Sequence, residues 1–258
     1  ATVMEARRSG LIKEVVKYLD KNLPAGYQVD GNNDGIVDNL TIVLSGTSAL
    51  GNTHLLWPQR QNYILGDSIQ GKRVVSFLMV FDESNGFKLG AENPNMPLNT
   101  GVLCHEMSHN LGTYDLYHNA KDGLNPVGVW DLMSNIQPVA QHMTAYTKWR
   151  YCHWIDSIPT ISTPGTYRLN PIGGDDSTKI AYKIQPVGRR EYFVIEYRKK
   201  EGFDASLPES GLIVYRVNPD LTGGNLAYNG TTRLDEQYIF RPGGTTTSDG
   251  DLSRAAFS

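Results

Sequence analysis

At 258 residues, a chain that is 40% hydrophobic and 20% charged can bury a sizeable core without disulfides, and its make-up excludes a disordered or fibrous protein. A formal net charge of -3 and a pI near 6.1 leave no basic footprint for DNA or RNA and no polybasic cluster for an acidic membrane surface, so nucleic acid is not an expected partner. No apolar run approaches the roughly 20 residues of a membrane span, and the start Ala1-Thr2-Val3-Met4 has no signal-peptide core.

In chain order, Leu11, Val15, Val16 and Leu19 recur at helical spacing between charges, which predicts an amphipathic helix over Met4 to Lys21, ending before Pro24. Next comes Asp30-Gly31-Asn32-Asn33-Asp34-Gly35-Ile36-Val37-Asp38, with oxygen side chains at alternating positions and glycine at the sixth. That is the opening of an EF-hand-like calcium loop, in which Asp30, Asn32, Asp34 and Asp38 offer side-chain oxygens and Ile36 its carbonyl. The bidentate Glu usual at the twelfth position is missing, since Thr41 stands there. A polar Asn/Asp/Gly turn leading into a strand is the competing reading. Leu40 to Leu44 and Val74 to Phe81 are short β-branched and aromatic runs bounded by turn residues, hence buried strands.

From Asn99 or Thr100 as N-cap, Val102 to Leu111 reads as a short helix stopped by Gly112. It carries the pattern H-E-x-x-H-x-x-G-x-x-D, from His105-Glu106 through His109 and Gly112 to Asp115. Residues four apart on a helix share a face about 6 Å along the axis, so the imidazoles of His105 and His109 can converge on one ion. A catalytic zinc needs three protein ligands and an open position. Gly112 permits the sharp exit that brings Asp115 back as the third. Zinc so held lowers the pKa of its water toward about 7, and Glu106 is placed to take that proton and hand it to a leaving amine. Chance alone would assemble these five residue types at these offsets in on the order of one such chain in 10⁴.

Gly128-Val129-Trp130-Asp131-Leu132-Met133-Ser134-Asn135 puts Met133 in a turn after the ligand run, where a metzincin Met-turn forms an apolar floor under the ligand rings. A helix over Met143 to Trp154 follows, its aromatic residues expected in the core. After Ile158 the texture changes: prolines at 159, 164, 171 and 186 punctuate alternating segments at Lys179 to Ile184, Tyr192 to Tyr197 and Gly211 to Val217, which read as strands. Glu196 and Arg198 share a strand face and are expected to be structural, Lys199-Lys200-Glu201 is a solvated charge run, and Gly243 to Gly250 is a loop. Two cysteines, Cys104 and Cys152, are too few for a disulfide framework, and whether they pair is open. The chain is expected to be soluble, and either a mature form or a trimmed piece.

Taken together, the zinc run followed by Asp115-Leu116-Tyr117, the turn Trp130-Asp131-Leu132-Met133, the segment Glu196-Tyr197-Arg198 and the strand start Gly211-Leu212-Ile213 resemble the immune-inhibitor-A-like family of secreted bacterial zinc metalloproteases. The resemblance runs through most of the chain. It implies His105, His109 and Asp115 as zinc ligands, Glu106 as base, secretion, and synthesis as a zymogen. It adds support for calcium, because the family carries an acidic, glycine-containing loop before the corresponding strand. Ser108, Thr113-Tyr114 and His118 depart from the family pattern, and His118 becomes the rival to Asp115 as third ligand. His142 is a further candidate to approach the cleft.

The expected fold is α+β: a metzincin-like zinc protease domain over 1–157 followed by a β-rich, β-sandwich-like domain over 158–258. The expected function is a secreted, monomeric, zinc-dependent endopeptidase acting on protein or peptide substrates and stabilised by calcium. The competing function is a non-catalytic, metal-stabilised adhesion module that binds glycans or surface proteins.

Overall fold

The computed structural model describes residues 3–45, 56–81, 100–118, 122–224, 235–245 and 247–257. The chain has two compact units, Ala1–Asn110 and Leu111–Ser258. The change in sequence texture comes later, at 158. Compaction does not follow texture because residues 126–150 supply the layer that covers the C-terminal sheet, as the hydrogen bonds below show.

The first unit opens with α1 (Val3–Asn22), in which Val16 of the expected inner face is fully buried with Ile12, while Leu11, Val15 and Leu19 are half-buried. Three strands form a sheet in the order β1 (Thr41–Leu44), β5 (Ser76–Phe81), β2 (Gln59–Asn62). β1 runs parallel to β5, Thr41 opposite Leu78, and β2 runs antiparallel to it. As the central strand, β5 is buried on both faces, which explains its unbroken apolar run Phe77–Phe81. Phe77 and Met79 join Ile12, Val16, Leu40 and Ile69 in one core. A small hairpin, β3 (Ser68–Ile69) and β4 (Lys72–Arg73), packs beside α1. The last helix, α2 (Thr100–Ser108), lies against β5 and β2. Thr100 is its first residue, and Asn99 lies outside the described residues.

In the second unit, β6 (Ala181–Ile184), β7 (Tyr192–Arg198), β8 (Gly211–Val217) and β9 (Gln237–Ile239) make a four-stranded antiparallel sheet in chain order. Alternation along β7 buries Tyr192, Val194, Glu196 and Arg198, and along β8 Ile213, Tyr215 and Val217. α3 (Ala145–Arg150) covers this face: its Ala145 N–H donates to Glu196 Oε2 at 2.8 Å and its Tyr146 N–H to Tyr215 Oη at 3.2 Å. α3 is shorter than the expected 143–154. It starts at the N-cap Thr144, whose hydroxyl accepts from Thr147 N–H, and the left-handed backbone of His153 (φ 54°) prevents its continuation. Tyr146 is core as expected, whereas Trp154 is 58% exposed. Helices and sheets in these proportions make an α+β protein.

Candidate metal centre

α2 passes at Ser108 into one 3₁₀ turn, His109–Leu111, and Gly112 then takes φ 91°, a left-handed conformation that side chains rarely adopt. Asn110, at the end of the first unit, accepts from Arg60 Nε at 3.2 Å and donates to Asn39 Oδ1 at 3.3 Å, tying the helix exit to β2 and the β1 approach. Inside the helix, Ser108 Oγ donates to the Cys104 carbonyl at 2.6 Å.

Within this run His105, His109 and Asp115 each present a ligand atom, and all three atoms lie within 4.8 Å of one another. Among the described residues they are the one group of three or more His, Cys, Asp or Glu side chains gathered in this way. The two imidazoles meet edge to face, with ring centroids 5.0 Å apart. His105 is 2% exposed and its neighbour Glu106 is 8% exposed, a buried carboxylate on the ligand-bearing helix. Two nitrogens and a carboxylate oxygen could hold one metal ion.

Met133 is fully buried in the turn Asp131–Ser134, where its N–H donates to Asp131 Oδ1 at 2.8 Å. The turn touches the ligand-bearing segment: Thr113 Oγ1 donates to Met133 Sδ at 3.4 Å, and Leu116 N–H donates to the Met133 carbonyl at 2.7 Å. Asp131 is fully buried, and burial pushes its carboxyl above the usual range against the hydrogen bonds it accepts from Met133 and Thr144.

The rival ligand His118 is committed elsewhere. Its Nδ1 lies 2.8 Å from Asp122 Oδ2 and its Nε2 2.6 Å from Asp235 Oδ1, so an imidazolium donating from both nitrogens fits the site. The hydrogen bond to Asp235, helped by Asp122, raises its pKa against the opposing effect of burial. A histidine whose folded pKa lies above its unfolded value near 6.5 stabilises the fold fully below that value, and the contribution fades as pH rises through the folded pKa. His118→Gln should therefore lower the melting temperature most near pH 5.5 and progressively less at alkaline pH. Thermal melts of both proteins across that range check it, and a deficit growing with pH contradicts it.

His142 is held within the second unit. Its N–H donates to Asp204 Oδ1 at 2.9 Å, its Nδ1 lies 3.2 Å from Lys148 Nζ, and its ring meets Phe203 edge-on. Burial and then the Lys148 ammonium push its pKa down to about 4, so it stands neutral as a packing residue. Cys104 and Cys152 are both free thiols, and burial lifts Cys152 to about 11, which keeps it unreactive.

The loop Asp30–Asp38 folds on itself. Asp30, 1% exposed, accepts from Asp34 N–H at 3.0 Å through Oδ1, and from Gly35 N–H at 2.9 Å and Lys72 Nζ at 2.8 Å through Oδ2. Asn32 Oδ1 accepts from Asp34 N–H, Asp34 Oδ1 from Ile36 N–H, and Asp38 Oδ2 from Gly31 N–H. The Lys72 ammonium holds the Asp30 carboxyl below its ordinary range. These bonds are those of a polar turn, and they leave the oxygen donors alternating along a tight loop with Lys72 as the nearby positive charge.

Glu196 and Arg198, which share one strand face, turn it into the core, where both are fully buried. No sequence pattern singles out Gly224, whose N–H bonds the Asp115 carbonyl, or Gly223 and Glu236, which bond each other next to it. The chain matches no protein-family model, and no curated protein matches it.

Proposed function

We propose that the chain is a zinc-dependent endopeptidase of the immune-inhibitor-A-like, metzincin type. The observation that supports it is the convergence of His105, His109 and Asp115 on one point beside the buried carboxylate of Glu106. A zinc ion held by those three side chains supplies Lewis acidity, acidifying water and polarising a peptide carbonyl. Glu106 acts as the general base at its carboxylate, accepting the proton of the attacking water and delivering it to the leaving amine. The apolar Met133 turn supports the segment that carries Asp115. Secretion and a zymogen form follow from the family resemblance. None of the described helices is long and apolar enough to cross a membrane.

Elemental analysis should find one zinc per chain, and casein should be digested in a reaction that a chelator abolishes and added zinc restores. Bound zinc with no turnover on any unfolded protein would instead favour the adhesion module. Calcium belongs to the same proposal: Asp30, Asn32, Asp34, Asp38 and the Ile36 carbonyl would hold it, in competition with the Lys72 ammonium that pairs with Asp30. Calcium at about 100 times its Kd should add about 2.7 kcal/mol of stability. Asp34→Ala should abolish that gain in thermal melts, and a wild-type melt indifferent to calcium removes the ion from the proposal.

A further inference from the structure

We infer that Glu236, acting through Gly223 and Gly224, is a positioning residue for Asp115. The inference rests on reading Asp115 as the third metal ligand. All of its contacts lie in the second unit.

The decisive feature is the peptide plane between Asp115 and Leu116, which is pinned at both ends. Its carbonyl, that of Asp115, accepts from Gly224 N–H at 2.8 Å, and its N–H, that of Leu116, donates to the Met133 carbonyl at 2.7 Å. Fixing this plane fixes the place of the Asp115 Cα, the point from which the carboxylate leaves the chain. Met133 supplies one pin from the turn already assigned to the site. The other comes from a segment more than a hundred residues downstream.

Both glycines are required by close approach. A Cβ at Gly223, whose φ is +66°, would stand 2.7 Å from the Asp115 carbonyl oxygen, and one at Gly224 would stand 2.6 Å from the Leu116 carbonyl oxygen. Those carbonyls are backbone and have nowhere to yield without turning Asp115. Glu236 holds the glycine pair in place. It is 1% exposed, and its Oε2 accepts from Gly223 N–H at 2.6 Å. Its Oε1 accepts from Tyr146 Oη at 2.9 Å and Tyr151 Oη at 2.5 Å. Tyr151 in turn packs edge-on against Tyr114, with centroids 5.7 Å apart, so the same carboxylate reaches the residue before Asp115 by a second route. A buried carboxylate whose two oxygens accept from one backbone and two phenolic donors is a rigid anchor, and outer partners of a metal ligand tune metal affinity.

The test is zinc affinity of the full 258-residue chain, measured by chelator competition, with the visible spectrum of the cobalt-substituted protein as a second readout. Glu236→Gln removes the charge and replaces one acceptor oxygen by an amide donor, which the phenols can meet only by reversing their role from donor to acceptor. It should weaken zinc by about 10–100-fold and shift the cobalt bands. Gly223→Ala and Gly224→Ala, which keep the carboxylate, should do the same, and they carry the test should Glu236→Gln fail to fold. Leu207→Ala, at a fully buried site that makes none of the clamp's hydrogen bonds, should lower the melting temperature while leaving affinity and spectrum as in the wild type. Wild-type affinity and bands in both glycine variants would overturn the clamp and leave the metal centre standing. A wild-type chain that binds no zinc, or binds it equally after His105→Ala, would overturn the clamp and the metal reading together.

Discussion

Glu106→Gln is expected to reduce proteolysis by about 10²–10⁴-fold or more while the purified protein keeps its full complement of zinc. The two outcomes separate because the ligand atoms belong to His105, His109 and Asp115, and the substitution leaves all three side chains in place. Gln matches Glu in shape, so the buried site at 8% exposure is neither emptied nor overfilled. What it removes is the ability to take a proton from water and return it to the amine. His105→Ala takes away a ligand instead and should lose metal and activity in parallel. Elemental analysis beside initial rates on casein distinguishes the pair. Zinc lost in Glu106→Gln would make Glu106 part of the metal's support, and undiminished proteolysis would remove it as the base.

The metal run was legible in the sequence because its geometry is local. Four residues on a helix fix the spacing of His105 and His109, and the glycine that must bend the chain does so at φ 91°. The strands at 192–198 and 211–217 were legible for the same reason, since a period of two needs only adjacent residues, and the strand at 76–81 from a continuous apolar run between turn residues. Alternation reports which residues share a face, however, and not which face meets the core. Glu196 and Arg198 were therefore correctly paired on β7, while their burial depended on α3 and the Trp130 turn arriving from fifty and more residues upstream. The neighbouring Lys199, Lys200 and Glu201 are exposed, as charge alone suggests. Gly223 and Gly224 give no local signal that distinguishes them from an ordinary turn. Their need for hydrogen at Cα comes from carbonyls of Asp115 and Leu116, a contact that only the folded chain creates. The ligand set was thus readable from one segment, and the scaffold that aims its third member was not.

The charge core behind the Met133 turn sets the largest stability effect. Arg198 is fully buried and every arm of its guanidinium is engaged: Nε and Nη2 grip Asp204 at 2.8 and 2.9 Å, Nη1 donates to the Trp130 carbonyl and to Glu196 Oε1, and Nη2 also donates to the His142 carbonyl. Arg198→Met fills much of the volume but leaves the carboxylates of Glu196 and Asp204 in the core without their cation. The loss should be about 3–5 kcal/mol, a large part of a typical folding free energy of about 5–15 kcal/mol. Arg198→Lys retains the charge and loses the bidentate fork, so its loss should be smaller, near 1.5–3 kcal/mol. The pH dependence identifies the cause. Burial already raises the Glu196 pKa against the pull of Arg198, and removing the guanidinium raises it further. A carboxyl with a raised folded pKa favours the fold while protonated and loses that contribution as pH climbs through the folded value. The deficit of Arg198→Met should therefore be smallest near pH 4.5 and grow toward neutrality, as read from urea midpoints at both pH values. A deficit equal at the two would assign the loss to packing instead of to stranded charge. Because Arg198 also holds the Trp130 carbonyl, three residues before Met133, Arg198→Met should weaken zinc binding along with the fold, whereas Arg198→Lys should largely preserve it.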